Sequence, residues 1–330
     1  MNTDVSQSRP LVSIGVPVFN GEKVLRGALD SILAQTYGNL EIVICDNAST
    51  DATEEICREY ASRDNRVRYL RNPANIGCNP NFWRTVEMST GELFMWGAVD
   101  DVKPPTTVAS CVEALLRNPQ AVLAYGPVFL QGPGWKEIVR VDNPMCMDEL
   151  SPADRIRLLV REMKTNVIEY GLYRREALGK GVYGDHAGAD TLFLLQMGLL
   201  GPFAYTSDPI LIYQERGSQP KDLMYHEVPL SMRNLLTAPP HIRRKCWTVF
   251  LRGLWYLGQI QGPPLRDKML AIAVYVKTYT GKYHRRLAKE IVFQSVDPLA
   301  KVLSFLWDMS KRMPMTARIS KHVHRAVMKV

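Results

Sequence analysis

The sequence lacks several features that would each assign a function class at once. No G-x-G-x-x-G loop follows the first predicted strand and no G-x-x-x-x-G-K-[ST] loop occurs anywhere, which argues against the common dinucleotide and P-loop sites. None of the six cysteines forms a C-x-x-C pair, so structural zinc is not expected. No run of 18 apolar residues occurs, so a spanning helix is not expected. The polar start, MNTDVSQSRP, is not typical of a secretory signal.

Composition and charge limit the number of domains and the cellular environment to be expected. The chain has 330 residues, of which 46% are hydrophobic, enough for one large domain with an appendage or for two domains. The formal net charge is +8, and residues 281–330 account for all of it with 11 basic and 3 acidic side chains. Cys45 and Cys111 lie within apolar segments, which favours a reducing, cytoplasmic environment.

Residues 12–51, VSIGVPVFNGEKVLRGALDSILAQTYGNLEIVICDNASTD, form the most informative segment. An apolar run at 12–18 ends at the turn dipeptide Asn20-Gly21, a helical apolar spacing follows, and a second apolar run occupies 40–45. This is the pattern of a βαβ unit and predicts an α/β fold with a mostly parallel sheet flanked by helices. Because open α/β sheets bind ligands at the carboxyl ends of their strands, the two polar turns should border a small-molecule site.

A pair of adjacent carboxylates follows a later apolar run. Asp100 and Asp101 come directly after LFMWGAV at 93–99. Adjacent carboxylates repel each other, and a hard divalent cation with oxygen ligands relieves the repulsion and can clamp a diphosphate. The alternative is that one of the two aspartates caps the helix predicted from Thr106 or a proline turn.

The opening segment resembles the start of the family 2 glycosyltransferases, which have the GT-A fold, and the similarity extends over roughly residues 11–215. The P-V-F-N and D-N-A-S-T-D turns carry the resemblance, because they recur together at the right separation. It implies a Rossmann-like nucleotide-binding half and an inverting enzyme that uses a nucleotide-diphosphate sugar. The absence of Q-x-x-R-W favours a non-processive member. The donor-binding residues that the resemblance implies are Pro17, Val18, Phe19, Asn20, Glu22, Asp46, Asn47, Asn75, Gly77 and Asp100.

The polar turn after the second apolar run can also be explained by local structure alone, without a bound ligand. Asp46, Asn47 and Ser49 are also typical of a turn followed by a helix N-cap, here for the helix predicted at 53–62. The resemblance favours Asp46 as a ligand contact and leaves Ser49 or Asp51 as the cap. Residues further on, Asn79 and Asn81, could either border the site or cap the next helix.

In the family the metal motif usually reads D-x-D, and this chain departs from it. Ala98 occupies the first position, so one acidic contact of the family pattern is missing. Asp100 matches the retained aspartate and is the expected principal ligand, with Asp101 as the second. The implied cofactor is Mn²⁺ or Mg²⁺.

The catalytic base implied by the resemblance is Asp190. It precedes an apolar helix in GDHAGADTLFLLQMGLLG, where the family has an E-D pair, although Ala189 replaces the glutamate. The alternative, an N-cap of that helix, is compatible with catalysis because helix amides hold a carboxylate ionised and oriented. Asp185 and His186 are further candidates for acceptor contacts, and Arg216 for a phosphate contact.

The remaining chain divides into predicted helices, strands and irregular segments. Strands are expected at 67–70, 93–99, 121–130, 167–173 and within 203–213, irregular segments at 72–81 and 131–149, and helices at 82–88, 106–117, 151–163 and 190–198. Beyond residue 220 the pattern is helical, with breaks at Pro239-Pro240 and Pro263-Pro264. We expect a flexible N-terminus at 1–10, a GT-A domain at 11–218 and a helical, basic C-terminal region at 219–330.

The basic C-terminal region has two candidate roles. Its segment KVLSFLWDMSKRM, 301–313, combines apolar residues with Lys and Arg near its ends, which suits peripheral contact with the anionic inner face of a membrane. The alternative is an amphipathic helix that packs on the catalytic domain or on a second subunit of a homo-oligomer. No recognised binding module accompanies the charge, so nucleic acid is not expected as a partner.

The sequence therefore predicts transfer of a sugar from a UDP-, GDP- or dTDP-sugar to a saccharide or lipid-linked acceptor, in polysaccharide or glycoconjugate assembly. Two rival functions are weighed against it. A GT-A-like nucleotidyltransferase usually has a glycine-rich and basic phosphate loop near its N-terminus, which VPVFNGEK matches poorly. A catalytically silent nucleotide-sugar-binding module is conceivable because Ala98 and Ala189 replace acidic residues of the family pattern.

Overall fold

The structure is a computed structural model that describes residues 9–132, 138–163, 166–184, 189–214 and 245–292. Strands and helices alternate in its first part. These elements are β1 (Val12–Val18), α1 (Leu25–Leu33), β2 (Leu40–Asp46), α2 (Thr53–Arg63), β3 (Val67–Arg71), α3 (Cys78–Glu87) and β4 (Leu93–Trp96).

The second part contains shorter strands and is followed by two long helices. Its elements are α4 (Thr107–Arg117), β5 (Leu123–Tyr125), β6 (Val128–Gln131), β7 (Val139–Val141), α5 (Pro152–Glu162), a 3₁₀ helix (Asn166–Tyr170), β8 (Leu172–Arg174), α6 (Arg175–Leu178), α7 (Ala189–Leu200), β9 (Phe203–Tyr205), β10 (Leu211–Gln214), α8 (Lys245–Gln259) and α9 (Leu265–Val292).

The large sheet has seven strands in the order β3-β2-β1-β4-β8-β5-β9. Its neighbouring strands are parallel except at β8, which is antiparallel to both β4 and β5. The strand order reverses between β1 and β4, and Val18 of β1 pairs with Asp46 of β2. The predicted mostly parallel α/β sheet is thus confirmed, and ligands of such sheets bind at the carboxyl edge where the order reverses.

The burial of the core explains why the secondary structure of residues 12–51 could be predicted from the sequence. All residues of β1 and β2 are buried, as expected for central strands covered by helices on both faces. One face of α1, with Leu25, Ala28, Leu29 and Ile32, is buried against them. The predicted order of strand, turn, helix and strand is confirmed in this segment.

Two boundary predictions in the first part are wrong. Residues 72–81 were expected to be irregular, but α3 begins at Cys78. Pro80 lies in its first turn, where the missing amide hydrogen removes no helical hydrogen bond. The strand expected at 93–99 ends at Trp96, and the chain then turns towards Asp100.

The single strand expected at 121–130 is two strands in different sheets. β5 belongs to the large sheet, whereas β6 pairs with β10 and β7 in a three-stranded sheet. The chain changes sheets at Gly126-Pro127, where a Cβ on Gly126 would lie 2.4 Å from the Asp208 carbonyl oxygen. The segment 131–149, expected to be irregular, contains β7 at Val139–Val141.

The strand expected at 167–173 is also wrong in its first half. Residues Asn166–Tyr170 form the 3₁₀ helix, and only Leu172–Arg174 pair as β8. Short apolar runs do not distinguish a strand from a buried helical turn. Gly171 separates the two elements, and a Cβ there would lie 2.3 Å from the Ala124 carbonyl oxygen.

The helical C-terminal region is confirmed where the structure describes it. α8 and α9 pack against each other, α8 packs on α7 and α9 packs on α5. Phe250 of α8 stacks on Tyr275 of α9 and makes a tilted ring contact with Tyr279. Among the described helices, none is long and apolar enough to cross a membrane. The boundary at 218/219 and the segment 301–313 lie outside the described residues, so the proposed division into domains stays a prediction.

Gly15 lies in the middle of β1, at a place where α3 packs closely on the sheet. A Cβ atom at Gly15 would lie 2.4 Å from Thr85 Oγ1 of α3 and 2.6 Å from Phe94 Cζ. We expect Gly15→Ala to lower the free energy of unfolding by about 1–3 kcal/mol, because α3 would have to move away. Urea denaturation measures this change.

The matched control is Gly27→Ala in α1, where an added Cβ meets nothing within 4 Å. It should raise the free energy of unfolding by up to about 1 kcal/mol, because alanine is the better helix former. Equal midpoints for the two variants would contradict the packing of α3 on β1.

Candidate functional site

The two polar turns after β1 and β2 are locked together by hydrogen bonds. The Asn20 amide donates to Ser49 Oγ at 2.9 Å, and the Thr50 amide donates back to Asn20 Oδ1 at 2.9 Å. The Gly21 amide donates to Thr53 Oγ1 at 2.8 Å. Asn20 adopts φ of 51°, a left-handed conformation that asparagine tolerates. The turns therefore behave as one unit at the carboxyl edge.

Glu22 and Asp51 extend the hydrogen bonds between the two turns towards α2. The Glu22 amide donates to Asp51 Oδ2 at 3.1 Å, and the Ala52 amide donates to Glu22 Oε2 at 3.2 Å. Asp51 Oδ1 also accepts the Thr53 amide at 3.0 Å. Asp51, rather than Ser49, therefore satisfies an amide at the start of α2.

The first turn presents few side chains outwards. Pro17 and Val18 are buried in β1, whereas Phe19 is 48% exposed. Asn20 and Glu22 are also exposed. An exposed aromatic ring at a sheet edge is a surface on which a planar base can stack.

Asp46, at the end of β2, is completely buried. Its Oδ1 accepts the Ser49 amide at 2.9 Å, and its Oδ2 accepts Tyr69 Oη at 2.9 Å and Arg71 Nη1 at 2.6 Å. Burial, followed by the Asp46 carboxylate, raises the pKa of Tyr69. Both carboxylate oxygens are thus engaged within the protein, and the contact between Asp46 and a nucleotide stays a prediction.

Arg71, which the sequence interpretation missed, lies beside Asp46. Its side chain is 33% exposed and its Nη2 donates to the Ser49 carbonyl oxygen at 2.9 Å. It is the last residue of β3 and pairs with Asp46 in the sheet. A basic residue at the end of a strand that neighbours Asp46 was the available signal. Arg71 brings a fixed positive charge to the edge that the two turns form.

Asn47 fastens the loop between β3 and α3 to the second turn. Its Nδ2 donates to Asn75 Oδ1 at 2.8 Å and to the Gly77 carbonyl oxygen at 3.0 Å. Its Oδ1 accepts the Ile76 amide at 2.9 Å and Asn72 Nδ2 at 3.0 Å. Three residues predicted from separate motifs, Asn47, Asn75 and Gly77, are therefore in direct contact.

A chain of asparagine side chains continues from this loop into the core. Asn72 Nδ2 also donates to Asn81 Oδ1 at 2.9 Å, and Asn81 Nδ2 donates to the Cys45 carbonyl oxygen at 2.9 Å. Asn79 Nδ2 donates to the Gly184 carbonyl oxygen at 2.6 Å. Asn81 and Asn79 thus join α3 to β2 and to the segment before α7.

Asp100 and Asp101 lie just beyond β4 at the same edge. Asp100 is partly exposed and Asp101 is 4% exposed. Within the part of the chain that the structure describes, no group of three or more His, Cys, Asp or Glu residues could hold a metal ion. Two hard oxygen ligands nevertheless fit a cation such as Mg²⁺ or Mn²⁺, which takes its other ligands from substrate phosphates and water.

A buried lysine follows this carboxylate pair. Lys103 is 2% exposed, and its Nζ donates to the Tyr170 carbonyl oxygen at 3.4 Å. Burial lowers the pKa of Lys103 to about 8, against the opposing charges of Cys111 and Asp101. Asp101 is buried, and the more exposed Asp100 is therefore the better candidate for the principal metal ligand.

Asp190 lies in the first turn of α7 and is held in place from two sides. Its Oδ1 accepts the Thr191 amide at 2.6 Å, and its Oδ2 accepts Asn166 Nδ2 from the 3₁₀ helix. Burial raises the pKa of Asp190, although these hydrogen bonds oppose the rise. Asn166 was missed in the sequence because it contacts Asp190 only through the fold. The other candidates, Asp185, His186 and Arg216, lie outside the described residues.

Tyr170 lies near the Asp100-Asp101 pair, and its neighbour Glu169 lies near Asp190. Burial and the charges of Glu169, Asp101 and Asp100 raise the pKa of Tyr170. Asp190, in turn, lies close enough to Glu169 to raise the pKa of that residue. The 3₁₀ helix thus stands between the carboxylates after β4 and the one on α7.

A model of the glycosyl transferase family 2 matches residues 13–181, just over half of the chain. The chain belongs to this family. An uncharacterized glycosyltransferase of Haemophilus influenzae is 25% identical over 232 residues, which cover 66% of this chain and 69% of that protein. A second relative, from Rickettsia prowazekii, is 38% identical over 106 residues, 32% of each chain.

Several family 2 relatives are much longer than the region they share with this chain. The matched region spans 21% of an uncharacterized glycosyltransferase of Rickettsia bellii and 24% of one of Rickettsia felis. The family is therefore assigned by the family model, and the activity of the whole protein is a matter of proposal.

Solved structures support the fold of this family 2 chain. The crystal structure of S. aureus TarS 1–349 has a TM-score of 0.56 at 15% identity and covers 82% of this chain and 72% of its own. The complex of the same protein with UDP-GlcNAc has a TM-score of 0.57 at 16% identity. This similarity establishes a GT-A type fold.

The amide of Asn47 provides a test of the lock between the turn and the loop. Asn47→Asp replaces the donor Nδ2 by an oxygen that faces the acceptors Asn75 Oδ1 and Gly77 O. We expect the free energy of unfolding to fall by about 1–3 kcal/mol, because two partly buried hydrogen bonds become repulsive contacts. Hydrogen exchange at the Ile76 amide should accelerate as the loop is released.

Asn65→Asp is the matched control, because Asn65 is exposed in the turn between α2 and β3. It should change the free energy of unfolding by less than about 0.5 kcal/mol. Unchanged exchange protection at Ile76 in Asn47→Asp would show that the loop is held by other contacts.

Proposed function

We infer that this family 2 chain transfers a sugar from a nucleotide-diphosphate sugar to an acceptor hydroxyl, with inversion at the sugar carbon and without processive elongation. The observation that carries the proposal is the gathering of the two locked turns and the Asp100-Asp101 pair at the carboxyl edge, where the strand order reverses between β1 and β4. That edge is where open α/β sheets bind nucleotides.

The donor base lies between the first turn and the loop held by Asn47. Phe19 offers an exposed ring for stacking, and Asn75 and Gly77 form the opposite wall. Arg71 places a partly exposed guanidinium beside Asp46. The TarS complex carries UDP-GlcNAc on a fold of the same type, which supports a UDP-sugar among the candidate UDP-, GDP- and dTDP-sugars.

Asp100 would hold Mn²⁺ or Mg²⁺ as the principal ligand, with Asp101 as the second, and the donor diphosphate would lie next to them. The bound cation supplies charge neutralisation of the leaving diphosphate. Asp101 is buried, and its charge raises the pKa of Lys103 against the effect of burial. Ala98 contributes no carboxylate, so the chain relies on these two residues.

Asp190 acts as the base. The acceptor hydroxyl attacks the sugar carbon and forms the new C–O bond, while the bond to the diphosphate breaks and its electron pair leaves with the phosphate oxygen. Asp190 takes the proton of the hydroxyl, as a positioned carboxylate does in general base catalysis. Asn166 and the Thr191 amide orient it, and its raised pKa makes it the stronger base.

The acceptor is a saccharide or a lipid-linked saccharide, which places the enzyme in polysaccharide or glycoconjugate assembly. Asp185 and His186 contact this acceptor, and Arg216 contacts the phosphates. The basic C-terminal region binds the anionic inner face of the membrane from the cytoplasm, or packs in a homo-oligomer. Each of these assignments is supported by the sequence pattern alone.

Turnover with a panel of UDP-, GDP- and dTDP-sugars tests the proposal. With Mn²⁺ or Mg²⁺, at least one donor should release its nucleoside diphosphate, a chelator should abolish the release, and added Mn²⁺ should restore it. Consumption of added pyrophosphate, with release of a nucleoside triphosphate and a sugar 1-phosphate, would instead indicate a nucleotidyltransferase. A donor-dependent rise in Tm without turnover would indicate a silent binding module, because ligands stabilise the state they bind.

Asp190→Asn tests the assignment of the base. The amide keeps the size of the side chain but cannot take a proton, so kcat should fall by about 100-fold or more. The rise in Tm on donor binding should be retained.

Asp154→Asn is the matched control, because Asp154 lies in the first turn of α5 as Asp190 lies in that of α7. Its kcat should stay within about twofold of the wild-type value. Transfer by Asp190→Asn at the wild-type rate would show that another group is the base.

A further inference from the structure

Glu169 is a buried carboxyl group that the mechanism above does not use. It lies on the 3₁₀ helix Asn166–Tyr170 and is 7% exposed. Side chains at i and i+3 are eclipsed in a 3₁₀ helix, which has about three residues per turn. Asn166 and Glu169 therefore share one face, and Asn166 donates to Asp190 from that face. The geometry brings a second carboxyl group to the side of Asp190.

The elements packed around Glu169 offer it few polar partners. Tyr183 Oη donates to Glu169 Oε2 at 3.3 Å. Tyr173 of β8 is fully buried. Its hydroxyl has no hydrogen-bond partner among the described residues. The 3₁₀ helix also packs against α7, β4 and β5. β4 has no charged residue, and the one ionisable group of β5, Tyr125 Oη, donates to the Asn143 carbonyl oxygen.

No Lys or Arg within the described ranges forms an ion pair with Glu169. Lys103 donates instead to the Tyr170 carbonyl oxygen. An ionised carboxylate that is buried without a cation is costly, and such groups take up a proton instead. Burial, and then the charge of Asp190, accordingly raise the pKa of Glu169 well above its usual value.

We propose that Glu169 stays protonated beside Asp190 and is a positioning residue for it, so that the two carboxyl groups hold one negative charge between them, on Asp190. The role rests on the proposed function, in which Asp190 is the base. Asp190 keeps the charge because Asn166 and the Thr191 amide both donate to its oxygens. Ala189 gives α7 no second carboxyl group, and the 3₁₀ helix supplies it.

This arrangement has two consequences for catalysis. The neutral Glu169 fills the space behind the base without adding a second negative charge near the diphosphate. When the pH rises enough to ionise Glu169, two like charges face each other and the donor site becomes less favourable for an anionic substrate. The acid limb of the pH profile then belongs to Asp190 and the alkaline limb to Glu169.

The protonation of Glu169 can be tested without any activity. An unfolded glutamate has a pKa of about 4.3, and the folded value is raised, so its contribution to stability is complete below pH 4.3 and is lost as the pH rises. Glu169→Gln removes this loss. The Tm of the variant minus that of the wild type should therefore increase by about 3–8 °C from pH 4.5 to pH 8.

Glu149→Gln is the control for this measurement, because Glu149 is exposed in the segment before α5. Its difference in Tm should stay constant over the same pH range. A constant or decreasing difference for Glu169→Gln would overturn the proposal. The outcome is independent of the donor, so it stands even if no nucleotide-sugar is turned over.

Activity then separates a positioning role from a purely structural one. Glu169→Ala should lower kcat by about tenfold or more, with little change in the KM of the donor, and Glu169→Gln should recover most of that loss. The profile of Glu169→Gln should also lack the alkaline limb of the wild type. If Glu169→Gln is as inactive as Asp190→Asn at every pH, Glu169 works in its ionised form and the proposal is wrong.

Discussion

The buried carboxylate of Asp46 is the interaction on which the carboxyl edge depends. It has no contact with water and accepts hydrogen bonds from Ser49, Tyr69 and Arg71, so the end of β2, the following turn and the end of β3 meet at one group. A donor left unpaired there would cost about 1–3 kcal/mol. The turn that Asp46 shapes also carries Asn47, which fastens the next loop. The two turns and the loop that form the walls of the proposed nucleotide site are therefore organised around one buried carboxylate.

The fold could be predicted from the sequence further than the contacts around the candidate metal and base residues. The βαβ opening was readable because its strands are buried on both faces and carry nearly continuous apolar runs. The positions of Asp100, Asp101 and Asp190 could be predicted because each follows or begins an element, and their roles stay predictions. The contacts of Arg71, Asn166 and Glu169 could not be predicted, because they are made with segments far away in the chain. The 3₁₀ helix at Asn166–Tyr170 hid two of them inside a run that resembled a strand.

The distribution of charge at the carboxyl edge connects two proposals, a divalent cation at Asp100 and a protonated Glu169. Asp100, Asp101 and Asp190 place carboxylates around the region where a diphosphate would lie. Two cations near this edge, Arg71 and Lys103, already donate to Asp46 and to the Tyr170 carbonyl oxygen. An anionic donor is attracted there only if further positive charge enters and no further negative charge does. The proposed divalent cation would meet the first condition, and Glu169 in its proposed protonated form would meet the second.

The most direct test of the central claim is a crystal structure grown with Mn²⁺ and a nucleoside diphosphate, with anomalous scattering used to locate the metal. The account predicts a manganese peak on the Asp100 carboxylate and the base between Phe19 and the loop that contains Asn75. A groove of about 1020 Å³ opens at the opposite edge of the sheet, with Arg9, Glu92 and Arg174 in its lining. A nucleotide bound in that groove, with no manganese on Asp100, would contradict the account.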